Sequence, residues 1–234
     1  MISLSHGGSI LPISVNLTEA EALSGSSSDI LLNSSGYGVS VFRPRYNRAW
    51  VDLSCDPEIF KSKGQIRCKA IPVALAFEKK VNKKLSLAAC KLRLQKYYWP
   101  YYADIENRIK ELKEMHGHVL LLDVTMFRKT SKMKADIFVS SSEESIDKIF
   151  YSIAISQLSS LCNLRVEEVK IKFGGHFNSY FGNPKAGIHV LQIAVEEKIF
   201  EDKKYVNNFY ENLIQRTFRE FAFLSKGFLK VKNK

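Results

Sequence analysis

His118-Val119-Leu120-Leu121-Leu122-Asp123-Val124 is an almost unbroken apolar run that begins one residue after Gly117. It lacks the polar–apolar alternation of a half-exposed strand and reads as a parallel strand covered on both faces. The neighbouring segments fit such a strand. Leu87–Met115 carries helical periodicity through Leu87, Leu92, Leu94, Ile105, Ile109 and Leu112, with Pro100 expected to kink it and Gly117 to end it. On the other side, Ala135–Ser140 reads as a strand, and Glu143–Ser160 as an amphipathic helix starting near Ser142. Val169–Phe173 and Gly187–Val195 read as strands around Gly182-Asn183-Pro184, and Asp202–Leu229 as a long helix with an aromatic stripe that packs on the core.

Towards the N-terminus, Ile2–Ser5 and Val39–Phe42 are strand candidates, Ile30–Ser35 a short helix, and Ala49–Leu53 an extended stretch. Residues 56–86 read as a polar, basic surface excursion. Strands alternating with helices predict an α/β fold: one three-layer domain over 1–234 with a mixed β-sheet and a basic tail at 226–234.

Composition narrows the function classes. Hydrophobic residues make up 45% and charged residues 25%, as in a soluble globular chain, and no apolar run reaches the roughly 20 residues of a membrane span. Met1–Ser5 shows no secretory n-region or h-region. Cys55, Cys68, Cys90 and Cys162 are scattered without Cys-X-X-Cys spacing, which predicts reduced thiols and an intracellular, reducing compartment, with cytoplasm and organelle matrix not distinguished. The 35 basic side chains against 24 acidic ones give a net charge of +11. That balance predicts acidic partners, RNA or a protein assembly, with Lys79, Lys80, Lys83, Lys84, Lys230 and Lys232 as anion-binding candidates. Solvated surface is the alternative reading for most of these lysines.

Five segments then carry a family resemblance. They are Ser5-His6-Gly7-Gly8 with Leu11-Pro12; Asn47-Arg48-Ala49-Trp50-Val51-Asp52-Leu53; Tyr98-Trp99-Pro100-Tyr101-Tyr102; Leu121-Leu122-Asp123-Val124-Thr125-Met126; and Gly174-Gly175-His176 through Gly182-Asn183-Pro184 to Gly187-Ile188-His189-Val190-Leu191-Gln192. In this order and spacing they resemble the motifs of the N-formylglutamate amidohydrolases. The resemblance implies a zinc-carboxypeptidase-like (phosphorylase/hydrolase-like) α/β fold with one zinc at the C-terminal edge of the sheet. It also implies a glutamate as general base and arginines that hold substrate carboxylates.

Matched residue by residue, the chain departs from that pattern. His6 and Asp29 stand at the first two ligand positions, but Thr125 replaces the third ligand, and a neutral hydroxyl is a poor zinc donor. Ala194 stands at the base position, while Ser54, Cys55 and Ser179 stand where substrate-binding groups belong. Glu196, two residues beyond Ala194, is a candidate replacement base; His118 and His189 are candidate replacement ligands, and Cys55 a candidate nucleophile. Arg48, Asp52, Asp123 and Gln192 remain as polar groups expected to hold one another. The expectation is a non-catalytic binding or structural subunit without a cofactor. The alternatives are a divergent zinc amidohydrolase releasing formate from an N-formyl amino acid, and a small-ligand sensor.

Overall fold

The computed structural model describes residues 1–5, 39–72, 85–141, 144–160, 164–168, 175–200 and 216–232. The expected helix over 30–35 and the lysines at 79–84 lie outside them. Val119–Phe127 forms β5, starting one residue after His118 and ending three beyond Val124, and Val119 to Val124 are all buried. It lies between β1 (Ile2–Ser3) and β8 (Ile188–Glu196), parallel to both. Among the described residues, six strands run in the order β2, β1, β5, β8, β6, β7, where β2 is Val41–Phe42, β6 Ile137–Ser140 and β7 Val166–Glu168. Of these pairings only β6 against β8 is antiparallel, so the sheet is mixed as predicted.

Period-two alternation divides the two faces. Leu120, Leu122, Val124 and Met126 of β5, with Leu191, Ile193 and Val195 of β8, meet α3 (Lys148–Ser159) and α5 (Arg216–Lys232) through Phe150, Ala154, Leu158 and Phe221. Val119, Leu121 and Val190 face the other way. They pack against α1 (Leu87–Arg93), α2 (Trp99–His116) and α4 (Gly175–Phe181) through Cys90, Tyr98, Tyr101, Tyr102, Ile105, Phe177 and Phe181.

Several elements differ from the sequence reading. The helical stretch before β5 breaks not at Pro100 but at a π-helical segment, Leu94–Tyr98. Pro100 sits in the first turn of α2, where a missing N–H leaves no hydrogen bond unmade. The wider turn aligns Tyr98, Tyr101, Tyr102, Ile105 and Ile109 on the buried face. Ala49–Leu53 is a folded loop rather than an extended strand: Ala49, Val51 and Leu53 are buried and its turn is closed by Trp50 N–H donating to Asn47 O. The excursion at 56–86 contains the antiparallel hairpin β3 (Ile59–Ser62) and β4 (Gln65–Cys68), and Cys68, Ala70 and Ile71 enter the core. Helix α3 starts at Lys148, where the Asp147 carboxylate accepts from Ile149 N–H at 2.9 Å, and not at Glu143. A strand forms at Val166–Glu168, while the expected 169–173 strand lies outside the described residues. Helix α4 was not foreseen. The last helix is described from Arg216, and residues 226–232 of the basic tail are its final turns.

Gly187 shows why a glycine joins the turn to β8. Its φ is +79°, and a Cβ there would lie 2.7 Å from the carbonyl oxygen of Gly117, which itself ends α2 at φ +75°. These two turns bring the beginnings of β5 and β8 together.

Two tests follow from this packing. Leu122→Ala should destabilise the domain by about 2–5 kcal/mol in urea unfolding, since Leu122 is fully buried between β1, β8 and the α3–α5 layer. A loss below about 1 kcal/mol would contradict the central placement of β5. His189 supplies the second. Burial, followed by the nearby His118, lowers its pKa from 6.5 to about 4. A depressed folded-state value means the unfolded chain binds more protons, so stability present above pH 6.5 is lost as the pH falls from there towards about 4. Thermal melting between pH 7 and pH 5 should therefore show a smaller drop in Tm for His189→Gln than for the parent chain, and equal drops would exclude this histidine as the cause.

Candidate functional site

On the α2–α4 face, midway along β5 and β8, polar side chains replace apolar ones. Strand register sets Ser3 opposite Asp123, Asp123 opposite Gln192, and Gln192 opposite Ser140, so one polar residue from each of four adjacent strands forms a row. All four are buried, Asp123 completely. Ser3 Oγ donates to Asp123 Oδ1 at 2.9 Å, and Gln192 Nε2 donates to Asp123 Oδ2 at 2.9 Å. Tyr101 extends the row into α2: its hydroxyl donates to Ser3 Oγ at 3.0 Å, with Phe42 O a more distant acceptor at 3.3 Å. A buried carboxylate is stable only when its oxygens receive donors, and the two strands flanking β5 supply them.

Because Gln192 turns its amide nitrogen to Asp123, its Oε1 can only accept a hydrogen bond, and among the described residues none reaches it. Asn178 on α4 donates its Nδ2 to Ser140 O at 3.0 Å, which leaves Asn178 Oδ1 in the same condition. Among the described residues, Ser140 Oγ, opposite Gln192, is also buried without a partner. The floor thus presents two obligate acceptors and a hydroxyl, suited to an ordered water or a donor-bearing group.

One step further along the strands, Thr125 pairs in register with Ala194, and Ala194 with Phe138. Thr125 is buried, while the Ala194 methyl belongs to a small apolar cluster with Ala135, Phe138 and Phe127. No titratable group occupies position 194. Glu196, the candidate replacement base, stands at the end of β8 opposite Phe127, with its carboxylate 4.0 Å from Lys129 Nζ. Lys129 also pairs with Asp136 at 2.5 Å. The displacement from Ala194 along the strand is about 7 Å.

His118 and His189 do not replace the third ligand. His118 precedes β5 by one residue and lies about 23 Å of strand from Thr125. His189 points to the opposite face, stacked on His118 at 5.8 Å between Phe150 and Phe221, with its Nδ1 accepting from Asp147 N–H at 3.3 Å.

The loop at 47–55 carries the remaining expected site residues and is held by the tyrosines of α2 and the π segment. Tyr98 OH donates to Cys55 O at 2.9 Å and Tyr102 OH to Leu53 O at 2.7 Å; Asp52 Oδ1 accepts from Ser54 N–H at 3.0 Å and Ser54 Oγ at 2.6 Å. Asp123 is thus joined to Gln192, and Asp52 to Ser54, as two polar groups on either side of the tyrosine layer, while half-buried Arg48 begins the loop. The Cys55 thiol is pushed up to about 12, by burial first and by Asp52 second, so at neutral pH it is not the thiolate a nucleophile needs. Ser179 is exposed on α4, its hydroxyl turned back to His176 O at 3.0 Å. His6, Asp29, Lys79, Lys80, Lys83 and Lys84 lie outside the described residues; Lys230 and Lys232 fall in the final turns of α5. Among the described residues, no three His, Cys, Asp or Glu side chains gather as a metal-binding group.

Sequence reasoning missed Ser3, Ser140 and Asn178. Ser3 and Ser140 sit at strand ends where a serine is compositionally unremarkable, and Asn178 required a helix over 175–181 that the glycine-rich stretch conceals. Tyr101 was visible only as part of its motif. Truncating the carboxylate tests the row: Asp123→Ala should destabilise the fold by about 2–4 kcal/mol in urea unfolding, because two buried donors lose their acceptor. A change within about 0.5 kcal/mol would show that the row carries no structural load.

Comparison with known proteins gives a consistent result. A family model described as N-formylglutamate amidohydrolase matches residues 1–200. Among solved structures, an N-formylglutamate amidohydrolase from Ralstonia eutropha JMP134 superposes with a TM-score of 0.74 at 15% identity, covering 97% of this chain and 93% of that one. A gene product of Agrobacterium tumefaciens superposes with a TM-score of 0.72 at 14% identity, covering 94% and 90%. No curated protein sequence matches the chain.

Proposed function

Because the chain belongs to the N-formylglutamate amidohydrolase family, we propose that it is a non-catalytic relative that works by binding, as a structural or partner-binding subunit. The observation that carries this reading is the register pair Thr125–Ala194. It sets a neutral hydroxyl and a methyl packed on Phe138 where the family pattern calls for a zinc ligand and a general base. A zinc hydrolase needs three protein donors, an open position and a group that moves protons. Thr125 is a weak donor and Ala194 moves no proton, so zinc does not fit the residues at these positions and no hydrolytic step is derived through it. Ser54, Cys55 and Ser179 likewise lack the charge to clamp a substrate carboxylate, and the raised Cys55 pKa speaks against a thiol mechanism. By contrast, the Ser3–Asp123–Gln192 row that fixes the sheet is complete. The basic surplus of the chain favours an acidic partner, RNA or a protein assembly, with no helix of the described residues long and apolar enough to cross a membrane.

The test is a combined assay of the purified chain. Metal analysis after dialysis should find zinc well below one equivalent, and incubation with N-formylglutamate should release no formate above background. Loss of a general base alone lowers turnover by about 10²–10⁴-fold. Stoichiometric zinc, or formate release abolished by His6→Ala, would establish the divergent zinc amidohydrolase instead.

A further inference from the structure

Beside the floor, on the other side of Tyr101, lies a cleft of about 390 Å³ between the segment following β2 and the start of α2. Among the described residues, its walls bring together three cations, Arg43, Arg45 and Lys96, and one carboxylate, Asp104. None of the three belongs to the five family motifs. Arg45 and Lys96 are exposed, and among the described residues neither pairs with a carboxylate. Each instead lies near an aromatic ring: the Arg45 guanidinium is 5.9 Å from the centre of Tyr46, and Lys96 Nζ is 5.6 Å from that of Tyr97. The two rings meet edge to face at 4.5 Å. Buried Val51 and Leu53 contribute an apolar floor. Positive charge continues outward along α1 and the π segment through exposed Lys91 and through Arg93, stacked 3.5 Å over Trp50.

Cations gathered in one concave place repel one another, and an anion entering between them removes that repulsion. Tyrosine rings offer planar surfaces to a planar apolar group. Charge with interleaved aromatics, at a size within the roughly 300–1,000 Å³ of ligand clefts, matches a phosphate joined to a nucleobase. We infer that this cleft binds a nucleotide unit, its phosphate held by Arg45 and Lys96 and its base laid against Tyr46 and Tyr97. The inference rests on the reading of the chain as a binding protein and names the chemistry of its partner. Either an RNA single strand or a free nucleotide supplies that unit.

The experiment is fluorescence anisotropy of a labelled oligouridylate with the full chain, between about 50 and 200 mM salt. The doubly substituted Arg45→Glu/Lys96→Glu chain should bind at least about tenfold more weakly, with a log–log salt dependence shallower by about 0.7 for each phosphate contact removed. Lys110→Glu/Lys132→Glu, at two exposed positions away from the cleft, changes the net charge equally and should stay within about twofold of the parent. Arg45→Gln/Lys96→Gln repeats the test should charge reversal disturb folding, and should weaken binding in the same direction. Equal weakening by the control pair, or no binding by the parent chain, overturns the inference. Competition distinguishes the sources. Displacement by AMP but not by inorganic phosphate identifies a free nucleotide as sufficient; failure of AMP where unlabelled oligouridylate succeeds identifies the strand. Displacement by phosphate as effectively as by AMP overturns the role given to the base. Formate release by a chain that still binds through Arg45 and Lys96 would remove the non-catalytic reading and leave this one standing.

Discussion

Asp123 is fully buried at the centre of the sheet, and a carboxylate in that position can be neither hydrated nor left alone. Its two oxygens receive Ser3 from one neighbouring strand and Gln192 from the other. Both donors depend on strand register. A slip of β1 or β8 by one residue would turn its donor to the opposite face and put an apolar side chain against a buried charge. The apolar layers on the two faces favour burial in general terms, but leucines and isoleucines tolerate shifts that a hydrogen-bonded carboxylate does not. Here β1, β5 and β8 are locked by the same group, and Tyr101 carries the lock into α2.

That constraint does not involve the next row of the same strands. Position 194 lies one side-chain step beyond Gln192 on the same face, yet it contributes nothing to the Asp123 network. A carboxylate there would need its own donors or a metal; a methyl packs on Phe138 and Ala135 without any such requirement. Thr125 is equally undemanding. Scaffold polarity and reactive polarity therefore occupy successive rows of the same strands, and the first does not depend on the second.

The residues differ in how readily a sequence exposes them. β5 was legible because a strand covered on both faces carries a continuous apolar run, and Gly117 marks its start. The mixed sheet and the last helix followed from periodicity. The short strands at Val41–Phe42 and Val166–Glu168, of two and three residues, are defined by their partners rather than by any pattern of their own. The break at Leu94–Tyr98 was hidden because every residue in it is compatible with an α-helix, and Pro100 offered a more obvious place for a kink that the first-turn position makes unnecessary. Ala49–Leu53 reads as extended because it is largely apolar; three-dimensional closure by tyrosine hydroxyls from a distant helical stretch cannot be seen locally. Thr125 and Ala194 were legible only as departures from a motif. Ser3, Ser140 and Asn178 had no motif to depart from.

Tyr101 also separates two kinds of environment. On one side is the buried floor, with its unpartnered acceptors on Gln192 and Asn178. On the other is the cleft with Arg45 and Lys96 at its mouth. Oxygen acceptors bound in a low-dielectric interior disfavour an approaching anion, whereas exposed cations attract one. A negatively charged group that reaches this part of the molecule is therefore directed to the Arg43–Lys96 side, and a neutral or donor-bearing group to the Gln192 side. On the binding reading proposed above, positive charge outside the tyrosine layer and acceptors inside it suit a chain that holds an anionic partner at its surface.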